Sequence, residues 1–176
     1  MRNIIRLAAL AATVATASPA FAQAAPIPAS ASGEARGVVL QPLTLTKEQD
    51  LDFGTVISTS ATGSVTISAD DGSRSVGGGV LEVPSYPGDR GLFTGNASVG
   101  RVVNLTLDAP AFLVSTTNPL DLIDVTSMVL DNGNSTVRTV GAAGIFQVGV
   151  GGEFAIDANQ PNGLYSAQFD LTADYQ

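Results

Sequence analysis

Residues 165–175 alternate strictly between two kinds of side chain, and this alternation constrains the fold more than any other feature of the chain. In the run YSAQFDLTADY, apolar or small residues hold the odd positions and polar residues hold the even ones. A period of two places the odd side chains on one face of a β-strand. That face needs an apolar core to cover it, and the strand needs partners along its edges.

The chain between residues 37 and 163 follows the same β-rich plan. Short runs of Val, Thr, Ser and Gly, such as the run LDFGTVI at residues 51–57, are separated by turn signals such as Asp71-Gly72, Asn118-Pro119 and Asp131-Asn132-Gly133. The turn signals recur about every ten residues, which is the spacing of an antiparallel sandwich. We predict that residues 37–176 form one all-β domain, an immunoglobulin-like antiparallel β-sandwich.

The first 36 residues have a different composition. Residues 1–22 combine Arg2 and Arg6, a short apolar run and an Ala-Phe-Ala exit, which are the marks of a secretory signal peptide cleaved after Ala22. We therefore expect export, with no membrane span after cleavage. Residues 23–36 are rich in Ala, Ser and Pro, and we predict a N-terminal extension that is either a flexible leader or a donated strand.

Charge and residue usage exclude several classes of function. After cleavage, six basic residues stand against 16 acidic ones, a net charge of −10 that argues against nucleic acid as a partner. The chain has no His and no Cys, so the common nucleophile–base pairs and most transition-metal sites are not available. We predict that the protein is not an enzyme and that it holds no cofactor.

The acidic residues favour turns over chemistry. Asp70 and Asp71 lie beside Gly72, which is typical of solvated turn residues. The run from Asp131 to Asn134 resembles part of a calcium loop but lacks its full spacing and its closing Glu. The sequence favours a hairpin turn there and leaves calcium binding open.

Three runs of the sequence resemble those of known families. The run GLYSAQFDLTADYQ, with Gly163 fourteenth from the end and Tyr175 penultimate, resembles the C-terminal signature of chaperone–usher pilus subunits. Together with the runs PLTLTKEQDLDFGTV and SRSVGGGV, it is also similar to a secreted bacterial family, domain-of-unknown-function family 4402, which itself resembles spore-coat-U-like subunits. These resemblances imply a sandwich that lacks its last strand, with a complete sandwich as the alternative.

The likeness to pilus subunits implies a function and partners. It implies a structural subunit of a surface filament or coat, such as a fimbria, which passes through the periplasm with a chaperone and an outer-membrane usher and joins copies of itself or related subunits by donor-strand complementation. The pairing strand would comprise Gly163, Tyr165, Ala167, Phe169, Leu171, Ala173 and Tyr175. The donated face would comprise Ile27, Ala29, Ala31, Gly33 and Ala35.

One alternative of another class stays open. The chain is also compatible with a monomeric secreted module that binds a carbohydrate or an envelope component through the loop from Ser85 to Arg90. Tyr86 would supply the aromatic surface for such a ligand.

Overall fold

The computed structural model describes residues 27–176, so the predicted signal peptide lies outside the described residues. Residues 27–40 are exposed and form no helix or strand. Residues 38–176 form one compact unit. Among the described residues, no helix has both the length and the apolar character needed to cross a membrane.

The compact unit consists almost entirely of strands. In chain order they are β1 (Thr44–Gln49), β2 (Val56–Ile67), β3 (Arg74–Glu82), β4 (Gly91–Asn96), β5 (Val102–Asp108), β6 (Phe112–Ser115), β7 (Leu122–Leu130), β8 (Val137–Thr139), β9 (Ile145–Ile156), β10 (Tyr165–Ser166) and β11 (Asp170–Tyr175). One short turn, α1 (Asp131–Asn134), follows β7, and its last three residues have a left-handed φ. The prediction of an all-β antiparallel sandwich is confirmed.

The strands form a large sheet and a small one. The large sheet has the order β1-β4-β9-β7-β6-β10, and the β2–β3 pair also joins it at β9; the small sheet has the order β11-β5-β8. One edge of β9 pairs first with β4, at residues 145–150, and then with β2, at residues 152–156. The opposite edge pairs with β7. Strand β9 therefore holds the large sheet together.

Alternate residues of β9 supply the core. Phe146, Val148 and Val150 are buried in a first hydrophobic cluster, which also contains Val103 and Leu105 of the small sheet. The second cluster lies at the other end of β9 and consists of Val65, Val80, Ile123, Phe154 and Ile156. The small sheet thus covers the first cluster and supplies no buried residue to the second.

The predicted strand at residues 51–57 is wrong over its first half. Asp52 makes an isolated bridge with Asp89, Gly54 has a left-handed φ of 75°, and β2 begins only at Val56. The predicted turn at residues 70–72 is confirmed, since residues 69–71 form a turn between β2 and β3. The predicted hairpin at Asp131–Asn134 is wrong, because β7 belongs to the large sheet and β8 to the small one.

Gly95 shows how closely the core is packed. It pairs with Phe146 across β4 and β9, and a Cβ at this position would overlap the Phe146 ring. We expect Gly95→Ala to lower the free energy of unfolding by about 1–3 kcal/mol, because the ring must leave its place in the core. Urea denaturation followed by circular dichroism measures this loss.

Gly141→Ala is the matched control for that substitution. The nearest atom to a Cβ at this position is the Ile145 carbonyl oxygen, at 3.7 Å. The unfolding midpoint of this variant should match that of the parent protein. Equal midpoints for the Gly95 and Gly141 variants would contradict the packing described for Phe146.

Candidate functional site

The alternating C-terminal run forms two strands in different sheets. Tyr165 and Ser166 pair with β6 of the large sheet, whereas residues 170–175 pair with β5 of the small sheet. Residues 167–169 pass between the two sheets and belong to neither. The prediction of one continuous pairing strand from Tyr165 to Tyr175 is therefore wrong; the odd positions are half-buried and the even ones exposed as predicted, except that Ala167 is exposed.

Strand β11 has one free edge. The Leu105 amide, directly opposite Ala173, donates to the Thr136 carbonyl at 2.7 Å and so points away from β11. Directly opposed residues of an antiparallel pair turn their backbone groups either toward each other or away from each other. The backbone groups of Leu171, Ala173 and Tyr175 therefore point to the other edge of β11, where no strand of the described residues pairs.

A groove of about 1000 Å³ opens beside this part of the chain. One wall is formed by residues 50–58 and the other by residues 160–169, and we call the space between them the lateral groove. Six apolar side chains from β6, β7 and β9 also line it: Leu113, Ile123, Val125, Met128, Phe154 and Ile156. The lateral groove therefore lies over the second cluster, which the small sheet does not cover.

The predicted pairing residues divide between the lateral groove and β11. Gly163, Tyr165, Ala167 and Phe169 line the groove. Leu171, Ala173 and Tyr175 lie in β11 instead, half-buried against the first cluster. Phe169 joins the two regions through an edge-to-face contact with Phe93, with ring centroids 5.9 Å apart. The groove thus leads to the free edge of β11, which begins at Asp170.

The wall opposite Tyr165 also presents a free strand edge. Residues 56–58 of β2 pair with β3, but β9 pairs only with residues 63–67 of the same strand. Within the part of the chain that the structure describes, no strand pairs with the groove-facing edge of residues 56–58. An extended segment in the lateral groove would therefore meet the unpaired edge of residues 56–58, and beyond the end of the groove it would reach the free edge of β11.

A buried arginine organises this wall. The side chain of Arg74 is 3% exposed, and its Nη1 donates to the carbonyl oxygens of Thr55 at 3.1 Å and Tyr86 at 2.9 Å. Its Nη2 donates to the Val83 carbonyl at 3.2 Å. A Cβ at Gly54 would collide with the Tyr86 carbonyl and with the guanidinium. The glycine of the LDFG motif is therefore required by the packing of Arg74.

The predicted donor segment is accessible. Ile27 is 90% exposed, and Ala29, Ala31, Gly33 and Ala35 are also exposed. The residues that follow are apolar and exposed as well, with Val38 at 70% and Val39 at 97%. The predicted donated face ends at Ala35. The exposed Val38 and Val39 extend the apolar surface of the segment beyond it.

The acidic residues of the turns form ion pairs and hydrogen bonds within the domain. Asp131 forms an ion pair with Arg138, whose side chain is 8% exposed, so this carboxylate already has a cationic partner. The Ser68 hydroxyl and then the Ser73 amide hold the pKa of Asp71 down to about 2. The Gln49 side chain and then the Arg90 amide lower the pKa of Asp89. Residues 27–176 contain no group of three or more His, Cys, Asp or Glu residues that could hold a metal ion.

The loop proposed for a carbohydrate lies beside a shallower depression. Tyr86 is 66% exposed there. The depression measures about 420 Å³ and also contains Asp50, Asp52 and Asp89. A single aromatic ring beside three acidic residues gives no specific reason to prefer a sugar, so the alternative function stays a prediction.

The chain belongs to a protein family described as a domain of unknown function, DUF4402, whose model matches residues 43–175. The match begins just before β1 and ends in β11, so it spans both sheets and the lateral groove. No curated protein and no solved structure matches the chain. The predicted family membership is confirmed, and the likeness to pilus subunits stays a prediction.

Removal of the Arg74 guanidinium should weaken the wall that contains the LDFG motif. We expect Arg74→Met to lower the free energy of unfolding by about 2–4 kcal/mol, because the carbonyl groups of Thr55, Val83 and Tyr86 lose the buried guanidinium that donates to them. Urea denaturation measures the change. Arg101→Met is the matched control, since Arg101 is exposed. Indistinguishable midpoints for the two variants would show that Arg74 does not support the wall.

Proposed function

We propose that this protein is a structural subunit of a bacterial surface filament or coat, and that the lateral groove is filled by an extended segment of another subunit. The observation that carries the proposal is an apolar groove that borders residues 56–58, whose edge away from β3 has no strand partner among the described residues, and that leads to the free edge of β11. Such a site suits an added strand better than it suits a small ligand, because backbone ladders and alternate side-chain pockets are the two elements of strand addition.

Exposure of the site favours an occupant. Half-buried apolar side chains beside the second cluster, such as Leu113 and Val125, line the lateral groove, and β11 presents the free backbone groups of Leu171, Ala173 and Tyr175. An unprotected edge of this kind pairs readily with other chains, which natural proteins normally prevent. A cover supplied by another molecule explains why both features occur side by side in one domain.

The N-terminal extension supplies a segment of the right kind. Residues 27–40 form no strand or helix, and the apolar or small residues from Ile27 to Ala35 recur at every second position. That spacing would place them on one face of an added strand. Two prolines limit the ladder: Pro26, outside the described residues, and Pro28. Each lacks an N–H.

Donation from one copy to the next would generate a filament. The donated segment and the lateral groove are different surfaces, so the contact is heterologous, and repeated heterologous contacts form open chains unless the rotation closes. Export by the predicted signal peptide, passage through the periplasm with a chaperone and an usher, and display at the cell surface complete the proposal.

A synthetic peptide of residues 23–40 tests whether the lateral groove accepts this segment. Added in excess to the mature full chain, the peptide should raise the melting temperature by about 5–10 °C at a hundred times its Kd, because it binds only the folded state. Differential scanning calorimetry measures the shift. A peptide carrying Ile27→Asp and Ala31→Asp is the control and should have no effect. A stable monomer whose melting temperature is unchanged by the first peptide would refute strand donation and favour a monomeric binding module.

Obstruction of the groove provides a second test. Ala167 is exposed and lines the groove, so Ala167→Phe should leave the melting temperature of the protein alone unchanged but reduce peptide affinity at least about tenfold through steric overlap. Isothermal titration calorimetry measures the affinity. Ala142→Phe, at an exposed turn between β8 and β9, is the matched control. Equal affinities for both variants would place the peptide elsewhere on the protein.

A further inference from the structure

The hydroxyl of Tyr175 makes two hydrogen bonds to the backbone of distant segments. It accepts one from the Ser98 amide at 2.7 Å and donates one to the Gln41 carbonyl at 2.8 Å. The Gln41 amide in turn donates to the Ser98 hydroxyl at 2.7 Å. Three segments of the chain, the start of the sandwich, the β4–β5 loop and β11, thus meet in one small network.

Gln41 occupies the boundary between free and packed chain. Residues 38–40 before it are exposed, whereas Leu43 and Leu45 after it pack against the first cluster. Pro42, which lies between them, has no N–H to donate. The amide and the carbonyl of Gln41 are both hydrogen-bonded, to Ser98 and Tyr175 respectively, and are the backbone groups nearest the exposed segment that the sandwich holds. The network therefore fixes the point at which residues 38–40 leave the sandwich.

Tyr175 also belongs to the edge that we propose as an acceptor. Its backbone groups point to the free edge of β11, while its ring reaches back to the first cluster and its hydroxyl holds Gln41. We infer that Tyr175 is a positioning residue that sets the geometry between the strand a subunit accepts and the strand it donates. The part of this inference that concerns successive subunits rests on the function proposed above.

The hydroxyl and the ring of Tyr175 have separable roles. The half-buried ring packs against the first cluster, and a phenylalanine ring would preserve that packing. Only the hydroxyl, which both donates and accepts, can bridge a carbonyl and an amide. Tyr175→Phe therefore removes the link to Gln41 and leaves the acceptor edge in place.

A fixed exit would have a consequence for assembly. When each subunit donates from a fixed point relative to its own acceptor edge, successive copies repeat the same rotation and rise. When the exit is loose, the same subunits still join but with variable angles. The hydroxyl of Tyr175 should therefore influence the regularity of a filament more than the affinity between its subunits.

Spin labelling of the full mature chain tests the inference directly. The chain has no native Cys, so Val39→Cys and Ser75→Cys, both at exposed positions, give two unique sites for nitroxide labels. Pulsed electron–electron double resonance should give one narrow distance distribution in the protein with Tyr175. We expect Tyr175→Phe to broaden that distribution about twofold, because the Gln41 carbonyl loses its donor.

Two further variants serve as controls. Tyr86→Phe makes the same chemical change at an exposed tyrosine and should leave the width unchanged. Ser98→Ala removes the hydroxyl that accepts from the Gln41 amide and should also broaden the distribution. This second variant tests the same network if Tyr175→Phe folds poorly. An unchanged width in both Tyr175→Phe and Ser98→Ala would overturn the inference.

The affinity for the peptide of residues 23–40 separates this inference from the proposed function. Tyr175→Phe should bind the peptide within about twofold of the parent protein, because the hydroxyl does not face the added strand. Failure of the parent protein to bind the peptide would refute the proposed function. The distance measurement would then still test whether Tyr175 fixes the exit of residues 38–40. A large loss of affinity in Tyr175→Phe alone would assign the hydroxyl to the acceptor site and overturn its role at the exit.

Discussion

The pairing of β9 with three neighbours is the interaction on which the rest of the structure depends. One face of β9 carries residues of both hydrophobic clusters, from Phe146 at one end to Ile156 at the other. Strands β5 and β11 bring the small sheet over the first cluster only. The uneven cover produces the lateral groove, because a 12-residue strand in the large sheet faces a small sheet whose strands have three to seven residues.

Sequence periodicity predicted the faces of the strands but not their partners. The alternation from Tyr165 to Tyr175 separates half-buried from exposed side chains at every position except the exposed Ala167, because a period of two depends only on the extended backbone. It could not reveal that residues 167–169 pass from one sheet to the other, since an extended segment keeps its alternation whether or not its edges are paired. The free edge of β11 is likewise set by long-range pairing with β5, which no local pattern encodes.

The LDFG motif illustrates a second limit. Its apolar and polar residues alternate as in a strand, yet Gly54 has a left-handed φ, and a Cβ at this position would collide with the Arg74 guanidinium. The relevant neighbour lies 20 residues away in the chain, so a local reading favours a strand. In the same way, Asp131 appears as a turn residue in the sequence, and only the fold brings Arg138 to it as a buried cation. Arg74 holds two connections within the large sheet, whereas Arg138 holds the turn that joins the large sheet to the small one, in a chain with no Cys to form a disulfide.

The composition of the proposed donor bears on how strand donation would work in this protein. Between Ile27 and Ala35 the inward positions after Ile27 hold only Ala and Gly, and burial of such small side chains contributes much less than burial of Leu or Phe. Most of the gain would then come from backbone pairing with β11 and residues 56–58, together with cover for the second cluster. Val38 and Val39 provide the larger exposed apolar groups next to Gln41. An added strand held mainly by its backbone is sensitive to register, because a shift by one residue turns every side chain to the opposite face. A fixed exit at Gln41 counters that sensitivity, since it limits how far the donated segment can slide relative to the subunit that carries it.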